Sequence, residues 1–373
     1  MRVFLRAGIV LGLAVAAACG KDSPSPVDFN DPAAVSANLS SVDSAFDSDV
    51  FRSFTAATLS LDAAAQPAIR PATTLLETLR PKLERTGAQI FLPNVRQARK
   101  LQALIPNLSV SAAQGRIIPD SMYGRIFEWN ETTDQYEYQG NTVSNLTGVR
   151  FVLYALGLDG QVFEPVTEIG TLDIIDQSTP SLLQLQVLVE NTAGTTTYLD
   201  YLATLNSSQT SLTATVTGSI SNGLTAGNNK TLTFDQTFTV NGGGVRVSAT
   251  FALNNPAITL MLNESVTFSD PNIIINADFR LIRGGETIRT VGRITLNTQD
   301  QSVEVTVTVY VDGHPVASIS GDPTNPATQW VDAGGEPLTL QDLAALDDLF
   351  AAWTSFQLAV EGLFVPIGTF SGL

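Results

Sequence analysis

Between Tyr123 and Ser320 apolar residues fall on alternate positions in one segment after another. The clearest case is Gln301 to Val311, with Val303, Val305, Val307, Val309 and Val311 on one side and Glu304, Thr306, Thr308 and Tyr310 on the other. A period of two built from β-branched residues is the mark of a half-buried strand. Leu232, Phe234, Phe238 and Val240 repeat the pattern, and so do Val245, Val247, Ala249, Phe251 and Leu253. Asn241-Gly242-Gly243-Gly244 joins these two as a hairpin, because Asn and Gly accept the backbone angles of tight turns. Ile258 to Phe268, Ile273 to Ile282 and Ile288 to Leu296 continue the series through links too short for helical crossovers, so neighbours are antiparallel. Val149 to Leu156, apolar on both faces, Leu182 to Glu190, Thr196 to Leu205 and Leu212 to Ile220 add strands upstream. Gly157 to Pro180, which holds Glu164, Glu168, Asp173 and Asp176, reads as a connection. The pattern predicts about ten strands or more in a meander with one apolar and one polar face.

Helical spacing appears at both ends of the chain. Asp31-Pro32 opens a first helix with Val35, Leu39, Val42 and Phe46 at intervals of three and four, continued by Val50, Phe51 and Phe54. Thr73 to Arg85, bent at Pro81, and Asn94 to Leu104 are two further helices. Arg96, Arg99 and Lys100 form the one notable basic cluster, read as a solvated helix face. After the valine strand come a turn at Asp312-Gly313-His314-Pro315 and a loop from Gly321 to Pro337. Thr339 and Asp342 have the spacing of a capping box. The helix they open carries Leu343, Leu346, Leu349, Phe350, Trp353, Phe356, Val360 and Leu363 as one apolar stripe, with Gly362 and Pro366 at its end. Because the opposite side is acidic, the stripe is assigned to packing on the sheet rather than to a membrane surface.

These elements predict an α+β, mainly β fold: a large curved antiparallel meander sheet, N-terminal helices, and one long C-terminal helix covering its apolar face. The divisions are 1–18 leader, 19–30 tether, 31–115 helical region, 116–322 sheet, and 323–373 loop and helix; 31–373 is long enough to share one core.

The leader changes where this fold must work. Met1 to Arg6 is basic, Ala7 to Ala17 is apolar, and Val15-Ala16-Ala17-Ala18-Cys19-Gly20 follows. This resembles the lipobox of bacterial lipoproteins, with Ala16 where that motif usually carries leucine. The resemblance implies cleavage before Cys19, acylation of that cysteine, and a cell-envelope protein held at a membrane by its N-terminal lipid. Cys19 is the one cysteine of the chain, so no disulfide or cysteine-based metal site forms within a single copy. Lys21-Asp22-Ser23-Pro24-Ser25-Pro26 is an extended spacer. The chain has 20 basic and 36 acidic residues; removal of Arg2 and Arg6 leaves 18 basic, a net charge of −18. Nucleic acid and anionic headgroups are poor partners for such a body.

Candidate chemistry is sparse. His314 is the one histidine and sits in a turn, which gives a Ser-His-Asp set nothing else to build on. Nucleophile-elbow, metalloprotease, Walker and dinucleotide motifs are missing. Asp43, Asp47 and Asp49 lack the glycine and glutamate of a calcium loop. No cofactor or metal is expected. Phe127 and Trp129, then Tyr136 and Tyr138, fall on one face of a hairpin with Glu128, Gln135 and Glu137 on the other. Such a row is either a sugar platform or a cross-strand aromatic cluster. Three functions follow: an apolar ligand or lipid held between sheet and helix, touching the hairpin rings and Phe350, Trp353 and Phe356; a structural or surface-interaction lipoprotein with no ligand; and a glycan-binding protein using the hairpin. The first stands slightly ahead, and its layout is similar, in architecture only, to the outer-membrane lipoprotein carriers.

Overall fold

The computed structural model describes residues 52–54, 57, 116–157, 162, 165–208, 210–224 and 228–370, with backbone alone for 351–362. Cys19, the tether, the helices expected at 73–85 and 94–104, the basic cluster and most of the first helix lie outside these residues. Residues 52–54 are helical; Phe54 and Ala57 are fully buried, and Arg52 Nη2 donates to the carbonyls of Leu156 (3.3 Å) and Gly157 (3.0 Å).

The described residues form one sheet of fifteen strands. They are β1 (Arg125–Asn130), β2 (Gln135–Thr142), β3 (Gly148–Tyr154), β4 (Glu168–Asp176), β5 (Leu183–Asn191), β6 (Thr197–Ser207), β7 (Ser211–Ser221) and β8 (Thr231–Asn241). The second half holds β9 (Gly244–Asn254), β10 (Ala257–Ser269), β11 (Asn272–Arg283), β12 (Glu286–Asn297), β13 (Val303–Val311), β14 (His314–Gly321) and β15 (Val331–Asp332). From β3 to β15 every strand pairs antiparallel with its neighbour in sequence. The predicted meander is therefore present, and the five valines of β13 are all 4% exposed or less. Asn241 pairs with Gly244 across a two-residue turn in which Asn241 Oδ1 accepts from the Gly243 amide at 2.9 Å.

Four expectations need correction. The stretch read as a connection contains β4, whose acids have structural partners. Asp173, 7% exposed, takes a two-pronged bond from Arg150 of β3, both N···O distances 2.6 Å, and one Asp176 oxygen accepts from the Ile117 and Ile118 amides at 2.8 Å each. Secondly, β1 lies parallel beside β3, so the aromatic hairpin is folded back and β2 takes the edge. Thirdly, the turn at Asp312 is tighter than four residues: His314 and Pro315 already belong to β14, which the ladder tolerates because β14 has only the two-residue β15 on its other side. That short strand lies within the segment read as loop.

Finally, α1 (Leu340–Phe370) runs past Gly362 and encloses Pro366. Its start is as expected: Thr339 Oγ1 lies 2.5 Å from an Asp342 oxygen and accepts from the Asp342 amide at 3.3 Å. Proline removes the amide that would serve the Gly362 carbonyl. The next carbonyl, that of Leu363, accepts from the Tyr201 hydroxyl of β6 at 2.8 Å in a fully buried setting, so the sheet supports the turn that proline weakens.

Candidate functional site

The hairpin expected to carry chemistry is assembled as its spacing implies. β1 and β2 pair Phe127 with Tyr138 and Trp129 with Tyr136, which puts the four rings on one face, and Glu128 with Glu137 on the other. The rings do not form a flat row. Trp129 meets Tyr136 edge-on at 5.5 Å and 76°, and Phe127 is tilted 54° to Tyr138 at 6.4 Å. Two faces are already taken: Phe127 stacks on the buried Phe151 of β3 at 4.9 Å, and the Arg125 guanidinium lies 4.7 Å over Tyr138. Tyr136 also meets Phe151 edge-on at 5.7 Å. This is the herringbone of a packed aromatic cluster. Burial raises the Tyr136 hydroxyl well above its ordinary pKa; Ser53 Oγ lies within its reach, yet among the described residues neither oxygen makes a hydrogen bond of good geometry.

On the opposite face the carboxylates are tied to the turn. Glu137 accepts from Asn130 Nδ2 (2.6 Å) and Thr133 Oγ1 (2.8 Å), and Glu128 accepts from Asn141 Nδ2 (2.7 Å). The bond from Asn130, then that from Thr133, lowers the Glu137 pKa.

The second expected group lies elsewhere. Phe350 of α1 is buried against Trp330, centroids 5.9 Å apart, immediately before β15 and so at the other end of the strand order. Trp353 and Phe356 lie on α1 in the stretch described by backbone alone. Among the described residues no ring contact joins Phe350 to the hairpin. Cys19 lies outside the described residues. His314 is exposed at the start of β14.

Sequence reasoning passed over two features of the inner face. One is the junction of Tyr201, Gly218 and Phe234, a single rung across β6, β7 and β8. Gly218 supplies no side chain, and the rings of Tyr201 and Phe234 meet above it at 5.9 Å. A Cβ at Gly218 would strike the Asp200 carbonyl oxygen and the Tyr201 Cα and Cβ. Beside this rung Phe364 of α1 meets Phe238 edge-on at 4.9 Å. Burial raises the Tyr201 hydroxyl far above its usual range, which leaves it a proton donor to Leu363.

The other is a set of polar residues in apolar phase. Gln236 of β8, Glu264 of β10 and Thr290 of β12 are 4%, 2% and 1% exposed. Gln236 Oε1 and Thr290 Oγ1 have no hydrogen-bond partner among the described residues. The signal was present as a break in alternation at Gln236 and Glu264.

Besides the Arg150–Asp173 pair, the outer face carries a second fork-on-fork group. Arg280 and Arg289, opposed on β11 and β12, both grip Asp278, Arg280 at 3.2 and 2.8 Å and Arg289 at 2.9 Å twice. Among the described residues no three His, Cys, Asp or Glu side chains are grouped to hold a metal, and no helix is long and apolar enough to cross a membrane. Compared with protein families, curated proteins and solved structures, the chain matches none.

Proposed function

We propose that this is a lipid-anchored, non-enzymatic protein of the cell envelope whose sheet and C-terminal helix pack against each other, and whose work is structural or lies in surface interaction. The observation that carries this reading is the state of the inner face. Leu185, Val187, Val216, Val240, Phe279, Ile294, Val305 and Val309, spread from β5 to β13, are each 0–1% exposed. A void the size of an apolar ligand leaves its walls accessible to a probe of water size. Walls this closed favour a filled core over a carrier cavity, which reverses the order suggested by alternation alone. In this reading α1 covers part of the apolar face, anchored by Tyr201 and Phe238 against Leu363 and Phe364. The anchor itself is supported by the Val15-to-Gly20 motif and the single cysteine.

Native mass spectrometry of a soluble form starting after Cys19, purified gently and compared with the denatured sample, tests the core. The expected result is the bare chain mass in repeated preparations. A lipid-sized mass released on unfolding would overturn it and restore the apolar-ligand function. Labelling with radioactive palmitate in a bacterial host tests the anchor: label is expected on the wild type and lost in Cys19→Ser, and an unlabelled wild type removes the membrane from the proposal.

A further inference from the structure

The two margins of the sheet are unequal. β15 is two residues long, whereas β2 runs for eight and, among the described residues, pairs only with β1. A long unpaired edge offers a row of amides and carbonyls to another strand, and natural edges are usually protected by lysine, proline, bulges or inward charge. β2 has neither lysine nor proline, and its one ionisable carboxylate is Glu137; its register slips against β1 between Tyr138 and Thr142, around Gly140 at φ 99°, so the regular part of the edge is Gln135 to Tyr138.

The sequence of that edge is symmetric. Gln135-Tyr136-Glu137-Tyr138-Gln139 reads the same in both directions about Glu137. Two copies related by a two-fold axis through Glu137 pair antiparallel, with Gln135 opposite Gln139 and Tyr136 opposite Tyr138 of the other copy. Such pairing adds two cross-strand tyrosine contacts on the ring face and continues the ladder from one sheet into the next. The same symmetry places Glu137 directly opposite Glu137. Each already faces Glu128 of its own β1, so four carboxylates fall in one row, and like charges directly opposite are destabilising. The bonds from Asn130 and Thr133 hold the Glu137 carboxylate in place at the centre of the row.

We infer that β2 is a self-pairing edge whose partner is a second copy of this chain, and that Glu137 is the residue that keeps the copies apart. This goes beyond the proposed function and does not depend on the anchor.

Sedimentation velocity of the mature chain, with Cys19→Ser in every sample to prevent disulfide dimers, tests it. The wild type is expected as a monomer, and Glu137→Gln as a dimer with self-association at least tenfold tighter. Glu137→Lys alone stays monomeric because lysines then oppose each other, and it shows that a changed residue 137 still folds. An equal mixture of Glu137→Lys and wild type forms a heterodimer through Lys–Glu pairs. Location is read by adding Gln135→Cys and Gln139→Cys to Glu137→Gln, which cross-links into a covalent dimer on mild oxidation. The inference is overturned by a Glu137→Gln chain that associates no more tightly than wild type, by a mixture that stays monomeric, or by a dimer that does not cross-link.

Discussion

Tyr201→Phe isolates the bond that ties the C-terminal helix to the sheet. The substitution keeps the ring, and with it the edge contact to Phe234, and removes one hydroxyl. That hydroxyl is fully buried and donates to the Leu363 carbonyl at 2.8 Å. A buried neutral hydrogen bond contributes about 0.5–1.5 kcal/mol net, and an acceptor left unsatisfied in the core costs about 1–3 kcal/mol. Leu363 retains its place in the helix, so the sum falls near the lower end, about 1–2 kcal/mol. With a urea m-value on the order of 3 kcal/mol/M for a chain of this size, the midpoint drops by roughly 0.3–0.7 M. Equilibrium urea unfolding of the mature chain reads this directly, and hydrogen exchange along α1 should show faster opening near Leu363 than in the wild type. Tyr198→Phe, on the same strand but half-buried, is the control and should leave the midpoint in place. An unchanged midpoint in Tyr201→Phe with an unchanged slope would refute the argument, since it would mean that the helix end is not held by this bond.

Three further outcomes follow from the same geometry. Gly218→Ala, whose new methyl meets the Asp200 carbonyl and the Tyr201 backbone, should cost about 3 kcal/mol or more in thermal unfolding; a loss below about 1 kcal/mol would show that β6 and β7 can part there. Thr290→Val replaces a buried hydroxyl that has no partner among the described residues by a methyl of the same shape and should raise the urea midpoint by the equivalent of about 1 kcal/mol, whereas a fall would reveal a further partner. Burial opposes ionisation of Asp278, but the forks of Arg280 and Arg289 outweigh it and hold the carboxyl below its ordinary pKa. A depressed folded value contributes stability that is present above the unfolded value, near pH 4, and lost as pH falls through the folded one. Asp278→Asn should therefore flatten the acid limb of stability measured from pH 7 to 2.5 by about 0.5–1 kcal/mol, small because both arginines are about 40% exposed; parallel limbs would rule it out.

How far the sequence carried is clearest from where it stopped. From β5 to β13 the alternation alone placed nearly every strand, because the inner face accepts only apolar side chains and the links between strands are short. β4 escaped because Asp173 and Asp176 look like loop residues. Their partners, Arg150 and the amides of Ile117 and Ile118, lie 23, 59 and 58 residues away, and no local window contains them. Pro366 misled for a related reason: the hydroxyl that supports its turn belongs to a strand 162 residues earlier. At the hairpin, period two correctly put four rings on one face, but the tilt that makes them a cluster depends on Phe151, which enters through the parallel pairing of β1 with β3. Gln236 and Glu264 were legible as breaks in phase.

The strand order has a kinetic consequence. Because β3 to β15 each pair with the next strand in sequence, almost the whole ladder closes through turns of a few residues, and hairpins can form as soon as both strands exist. The bond from Tyr201 to Leu363 closes a loop of 162 residues instead. Loop entropy grows as (3/2)RT ln n, so this closure costs about 2–3 kcal/mol more than a ten-residue one. A chain leaving a ribosome or a translocation channel N-terminus first thus completes its sheet before the helix that seats on β6 and β8 has emerged, and until then the apolar face near Tyr201 and Phe238 waits uncovered by Leu363 and Phe364.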